Sequence, residues 1–168
     1  LYLIDQLTDS NSNLFKLLEK VDFVIHPLVN PDGYEFTFNF YRLWRKTRSR
    51  NGVNCSGVDA NRNYDFHWHE VGSSNNKCDE TYHGPKAFSE KEATISGDLM
   101  NEVKENCKFF LSFHSYGNYI LYPYGYKYES PENVQDNDDV ARAGRDAILE
   151  ATGTNYTIGG TSNTLYLA

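Results

Sequence analysis

The 168 residues contain one methionine, Met100, and only three cysteines. Leu1 is therefore not a translational start, and no basic stretch with an apolar run behind it marks a secretion signal. No apolar run approaches the length that spans a bilayer, which excludes a transmembrane helix. Lys and Arg number 16 against 23 Asp and Glu, a net charge of −7, and no basic tract is longer than that around Arg45–Arg50. Nucleic acid, which needs a basic footprint, is excluded as the expected partner. The spacing of Cys55, Cys78 and Cys107 matches no zinc finger. A glycine-rich phosphate loop, a nucleophile elbow and a Cys/His nucleophile arrangement are also missing.

What is present suits a folded domain. Hydrophobic residues make up 39% and aromatics 15%, enough for a core and against disorder. The length corresponds to one domain or part of one, and there is no repeat, low-complexity tract or linker. Leu1, Leu3, Ile4 and Leu7 look like the last turns of a helix, and Leu165–Ala168 stops inside an apolar run. Both features lead us to expect the central piece of a longer domain.

The pattern predicts a short helix capped by Asn13 and running to Glu19, then a mostly buried strand from Val21 to Val29 ended by a turn at Asn30-Pro31-Asp32-Gly33. From Tyr34 to Asn76 no helical period is visible, and a long irregular stretch is expected, which in ordered proteins is usually functional. Ser89 and Glu92 form a capping box for a helix reaching about Asn106. Lys108–His114 reads as a strand buried on both faces, placing His114 at its end, and Tyr119–Tyr122 as another strand. A second long helix spans Asp136–Ala151, with Gly153 as its stop. The alternation predicts an α/β fold, a mixed β-sheet flanked by helices.

Three groups carry candidate chemistry. Arg45, Arg48, Asn61 and Arg62 put guanidinium and amide donors into one irregular stretch, which suits an anionic substrate group. The alternative is surface arginines paired with the abundant acids. His114, at the end of an apolar strand, stands where α/β enzymes place catalytic or metal-binding groups, although a lone histidine is more often a hydrogen-bonded structural one. His67 and Glu70 have ligand-like spacing, but the residues around them suggest an exposed loop without a third ligand. A disulfide and one buried thiol is the default for the three cysteines. Bonded to each other, Cys55 and Cys78 would close a loop of about 24 residues, stabilising the fold by roughly 3 kcal/mol. Free thiols remain the alternative. Asn155-Tyr156-Thr157 is an N-glycosylation sequon, meaningful only in a secreted chain.

Five motifs recur in order: Asn30-Pro31-Asp32-Gly33-Tyr34, Trp44-Arg45-Lys46-Thr47-Arg48, Gly57-Val58-Asp59-Ala60-Asn61-Arg62-Asn63, Gly84-Pro85 with Phe88-Ser89-Glu90, and Ser112-Phe113-His114-Ser115-Tyr116. With Tyr122-Pro123-Tyr124-Gly125-Tyr126, they resemble the pancreatic-type zinc metallocarboxypeptidases of the carboxypeptidase A/B family. Each motif is weak alone, and the ordered set, covering nearly the whole chain, is specific.

The resemblance implies roles. His114 resembles a ligand of the single catalytic Zn2+, and Asp59 a carboxylate that orients another zinc histidine. Arg48 resembles the residue that stabilises the tetrahedral oxyanion. Asn61 and Arg62 resemble the pair that grips a substrate's C-terminal carboxylate, and Tyr166 the mobile tyrosine that closes over it. Tyr116 and Arg45 resemble residues of outer subsites, and Leu121 and Gly125 walls of the side-chain pocket. Cys55 and Cys78 match the family's disulfide positions, and Cys107 is left as a buried thiol or a partner for a cysteine elsewhere.

The family's His-x-x-Glu zinc motif would fall before Leu1, and its general-base glutamate and pocket-floor residue after Ala168. Residues 1–168 are thus expected to be the central portion of one secreted, extracellular, monomeric peptidase domain, itself inactive. Its expected substrates are peptide and protein C-termini, and a propeptide or a protein inhibitor is implied by the resemblance alone. The competing reading is a non-catalytic module that binds peptide C-termini. The preference for basic or apolar C-terminal residues is not legible in these residues.

Overall fold

A computed structural model describes residues 2–50, 52 and 54–166. Helix α1 spans Tyr2–Thr8 and buries Leu7, as its apolar spacing predicts. Leu1, Leu167 and Ala168, the outermost residues of the two terminal apolar patterns, lie outside the described residues. A 3-10 helix at Phe15–Glu19 follows, entered through Leu14 rather than Asn13. Asn13 does not cap it, and no side-chain cap is seen; Ser12 Oγ accepts the Leu14 N–H at 3.1 Å just ahead of the helix.

The Asn30–Gly33 motif begins a helix instead of ending in a turn. Helix α2 spans Pro31–Asn39, and Asn30 Oδ1 accepts the Gly33 N–H at 2.9 Å. Pro31 at the first helical position has its φ already set and no N–H to leave unpaired, so the same four residues that favour a turn also favour a helix start. The irregular stretch consequently starts after Asn39, not at Tyr34. Helix α3 spans Lys91–Val103 with Ala93 buried, three residues short of the expected end. Its capping box is absent: Ser89 Oγ donates to Glu90 Oε1 at 3.1 Å and receives Asn63 Nδ2 at 2.9 Å.

Strand β1, Tyr119–Tyr122, matches the sequence reading. It pairs in parallel with β2, Thr157–Gly160, in the register Tyr119↔Thr157 through Tyr122↔Gly160. Between them helix α4 spans Val134–Thr152 and packs on both strands, the crossover a parallel pair requires. It stops at Gly153, whose φ of 71° is left-handed and costs a residue without Cβ little. The short helix α5, Thr161–Thr164, is tied back to β1 by Thr161 Oγ1 to Tyr122 O at 3.1 Å and Ser162 N–H to Tyr124 O at 3.1 Å.

Two expected strands are unpaired. Residues 22–29 and 108–114 form no backbone ladder among the described residues, and their apolar side chains, Val24 and Phe113 among them, are exposed. An apolar run supplies the side chains of a buried strand but not the neighbouring backbones that make it one. His114 accordingly stands in an irregular segment, not at a strand end. The α/β architecture stands, with helices packed on a parallel pair.

The well-buried centre lies in the irregular middle of the chain and is largely polar: Lys46, Thr47, Asp59, Asn63, His83 and Glu90 are buried around Val58 and Tyr82. Backbone bonds from Thr47 N to Val58 O, Gly57 N to Ser49 O and Asp59 N to Tyr82 O, each 2.8 Å, lace it together. Gly57, at φ 77°, lets the two segments touch, because a Cβ there would strike the Thr47 carbonyl. Cys55 and Cys78 are disulfide-bonded. Cys107 is free and exposed, so the buried-thiol expectation fails; its segment follows α3 into the unpaired run.

Candidate carboxylate-binding site

Asp59 organises the site. Its backbone is extended while Ala60–Arg62 turns as a 3-10 helix, and its Oδ1 accepts the Asn61 N–H at 3.2 Å, the usual work of an N-cap aspartate. The other oxygen, Oδ2, lies 2.6 Å from Arg45 Nη2. One buried carboxylate therefore joins Arg45 to the turn that carries Asn61 and Arg62.

Arg62 spends few of its donors inside the protein. Nε donates to Gly72 O at 2.9 Å and Nη1 to Asn61 O at 3.1 Å. A guanidinium has five N–H groups, so among the described residues three remain for a ligand on a side chain whose direction is already set. Asn61, next to it on the same turn, is exposed, and its side chain makes no hydrogen bond among the described residues.

Arg48 is held differently. Its guanidinium carbon sits 3.7 Å from the centroid of Phe36 and 4.5 Å from that of Trp44, two faces that attract a cation while its N–H edges make no hydrogen bond among the described residues. Trp44 is itself fixed, Nε1 donating to Lys46 O at 2.6 Å. Asn30 Nδ2 donates to the same carbonyl at 3.0 Å, so the cap of α2 also anchors the Arg45–Arg48 segment.

A buried network, not foreseen from the sequence, sets the spacing of the two arginine segments. Thr47 Oγ1 donates to Glu90 Oε2 at 2.6 Å and accepts the Val58 N–H at 3.0 Å. Asn63, fully buried, donates from Nδ2 to His83 O at 2.9 Å and accepts the Glu90 N–H on Oδ1 at 3.0 Å. Thr47 precedes Arg48 and Asn63 follows Arg62, so Glu90 holds both. Only its place in the Phe88-Ser89-Glu90 motif marked it in the sequence. Lys46 is buried beside them, Nζ donating to Lys77 O at 2.8 Å and Asp79 O at 3.1 Å. Burial pushes its ammonium below the ordinary 10.5, against the opposing pull of Glu80, Asp59 and Asp79.

A second group gathers at the C-terminal ends of the parallel strands. Leu121 pairs with Gly159 in the ladder, and Gly125 follows Tyr124, whose carbonyl receives Ser162. Tyr166 is exposed just past α5, its N–H on Thr161 O at 3.3 Å. Tyr126, beside Gly125, stacks on His67 at 3.7 Å and meets Phe66 edge-on at 5.5 Å, which joins this group to the loop behind Arg62. His67 Nδ1 lies 2.9 Å from Glu70 Oε1. His67 is thus engaged by Glu70 within its own loop and by Tyr126 across to the next.

His114 stands apart. Its Nε2 lies 3.1 Å from Ser112 Oγ, its one hydrogen-bonding neighbour among the described residues. Tyr116, after a cis Ser115–Tyr116 peptide, is 98% exposed. Among the described residues no three His, Cys, Asp or Glu side chains come together as a metal site. His114 alone therefore does not fit a catalytic zinc, which takes three protein ligands.

Comparison with known proteins gives this arrangement a context. The profile of the Zinc carboxypeptidase family matches residues 1–168. A carboxypeptidase B of Astacus astacus is 41% identical over 169 residues, covering 99% of the chain and 56% of that protein. Human carboxypeptidase B is 43% identical over 154 residues, 91% of the chain and 37% of that protein. Among solved structures, bovine thrombin-activatable fibrinolysis inhibitor in complex with tick carboxypeptidase inhibitor superposes with a TM-score of 0.90 at 34% identity, covering 99% of the chain and 57% of that one. The carboxypeptidase A of Helicoverpa armigera gives 0.87 at 34% identity, over 96% of the chain and 39% of that one. The chain thus spans little more than half of the Astacus enzyme and of the bovine structure, and well under half of the other two.

Proposed function

The chain belongs to the zinc carboxypeptidase family, and from that membership we propose that residues 1–168 are the central portion of one peptidase domain in a protein that releases single amino acids from peptide C-termini. The observation that carries the reading is the Asp59-capped turn, which presents Asn61 and the three unspent donors of Arg62 side by side. A substrate carboxylate matches such a fork in shape and charge. Recognition of that group is what restricts hydrolysis to the last peptide bond.

Arg48, a permanent cation with free N–H edges, is the group for the oxyanion of the tetrahedral intermediate. Its aromatic shelf fixes it in advance, so little reorganisation accompanies the developing charge. Leu121 and Gly125 wall the pocket for the departing side chain, Tyr166 covers the bound end, and Arg45 and Tyr116 meet residues further along the peptide. In a family member, zinc supplies Lewis-acid polarisation of the scissile carbonyl and a water acidic enough to attack it. These residues on their own do not hold the metal. His114 is one ligand, and the two others and the general base belong to parts of the protein outside residues 1–168.

The Cys55–Cys78 bond supports an oxidising, extracellular setting. Among the described residues no helix is long and apolar enough to cross a membrane. The likeness to a structure solved with an inhibitor extends the reading to a protein inhibitor as partner.

Whole protein supplied with zinc and given a peptide with a free C-terminus tests the reading by mass spectrometry. The expected result is loss of one residue at a time from that end, with the C-terminally amidated peptide untouched and residues 1–168 alone inactive. Equal cleavage of the amide, or cuts inside the peptide, would overturn it. Binding without cleavage by the whole protein would leave a recognition module.

A further inference from the structure

We propose that Asn155 carries an N-linked glycan and that Asn54, the other asparagine in an acceptor motif, does not. The sequence contains two Asn-x-Ser/Thr triplets, Asn54-Cys55-Ser56 and Asn155-Tyr156-Thr157. The structure separates them.

Asn155 sits in the short connection between Gly153, the end of α4, and β2. Both Asn155 and Thr157 are exposed, and neither side chain makes a hydrogen bond among the described residues. The acceptor amide and the hydroxyl that a glycosyltransferase must engage are therefore both free. The neighbouring backbone is held without them, Thr154 N–H by Thr152 Oγ1 at 3.2 Å and Thr157 N–H by Asn118 O at 2.8 Å.

Asn54 is exposed too, but its triplet is not free to be threaded into an enzyme. Cys55 is covalently tied to Cys78, and Ser56 is bridged across the sheet-like turn to Arg50. Formation of the disulfide closes the triplet to the transferase.

The transfer balances with a lipid-linked oligosaccharide pyrophosphate as co-reactant. Asn155 Nδ2 bonds to the anomeric carbon and gives up one proton. The bond from that carbon to the pyrophosphate oxygen breaks, and the lipid pyrophosphate leaves with the electron pair.

The position also keeps a glycan clear of the site. In the parallel pair, Thr157 and Tyr119 lie at the N-terminal edge, whereas the segments with Gly125 and Tyr166 follow the C-terminal edge. Three residue steps of about 3.3 Å separate the edges by roughly 10 Å, with Asn155 further back still. Bulk is tolerated there without crowding the end of the strands where substrate is bound.

The inference rests on the secretory reading, because this transfer occurs only in that pathway. The protein is isolated from its natural source, its free thiols are alkylated, and its peptides are treated with peptide N-glycosidase in heavy-oxygen water. Mass spectrometry then finds a heavy-oxygen aspartate wherever a glycan was attached. The expected result is label at position 155 and an unchanged Asn54. An unchanged Asn155 overturns the inference, and label at position 54 overturns its selectivity. With Asn155 bare, an intact Cys55–Cys78 bond means that the glycan alone is wrong, whereas alkylated Cys55 and Cys78 bring down the secretory reading as well.

Discussion

Asp59 binds Arg45 with one carboxylate oxygen, 2.6 Å from Nη2, while its other oxygen caps the turn bearing Asn61 and Arg62. Asp59→Ala removes both bonds. Loss of the cap costs about 1 kcal/mol, and Arg45, half in solvent, loses little of its own. Asp59→Asn keeps an acceptor for the Asn61 N–H and should unfold between wild type and Asp59→Ala in urea. Binding of a C-terminal carboxylate should follow the same order, since the turn sets the direction of Arg62.

The Cys55–Cys78 bond closes a separation of 23 residues beside the arginine segment. Reduction, or Cys55→Ser with Cys78→Ser, should lower stability by about 3 kcal/mol through the entropy restored to the unfolded chain. Urea midpoints with and without reductant measure it. The double variant should show no further effect of reductant.

Glu90 holds Thr47 and Asn63, the neighbours of Arg48 and Arg62. Glu90→Ala removes the charged acceptor of the buried Thr47 hydroxyl and leaves it only Ser49 Oγ at 3.3 Å, and loss of such a bond to a charged group costs about 1.5–3 kcal/mol. Glu90→Gln keeps an acceptor oxygen and should recover most of the lost stability, together with the affinity for a free C-terminus. Equal stability of wild type and Glu90→Ala in denaturant would remove Glu90 from the account.

Two tyrosines, the buried Tyr82 and the half-buried Tyr122, make the fold sensitive to alkali. Burial, aided by Glu90, raises the Tyr82 hydroxyl above its ordinary 10.0, and burial with Asp138, 3.3 Å from the hydroxyl, raises that of Tyr122. The unfolded chain releases these protons first. Their contribution to stability is therefore complete below pH 10.0 and is lost as pH rises through the higher values in the fold. Tyr122→Phe should flatten the fall in urea midpoint above pH 10.0, and an unchanged slope would contradict the assignment.

Helix α4 and strand β1 were legible because their patterns are local: an apolar stripe ending at a left-handed glycine, and a four-residue apolar run. The ordered motifs also pointed to the disulfide pair, which is bonded. Asn30–Gly33 misled because an asparagine before a proline serves a turn and a helix start equally, and only the bond from Gly33 N–H to Asn30 Oδ1 tells them apart. Val21–Val29 and Lys108–His114 misled because apolar composition says nothing about partner backbones. Nothing in the sequence linked Thr47 to Glu90, 43 residues later, since a buried bond between distant segments leaves no periodicity. The Arg45–Asp59 pair was hidden likewise: both residues stood out, but not their contact.

The most direct test of the account compares, by calorimetry, binding of a peptide with a free C-terminal carboxylate and of its C-terminal amide to the protein and to Arg62→Ala. A hydrogen-bonded charge of this kind is worth about 1.5–3 kcal/mol, so the acid should bind roughly ten- to a hundredfold more tightly than the amide, and Arg62→Ala should erase most of that difference. Equal affinity for acid and amide, or a preference that survives Arg62→Ala, would contradict it.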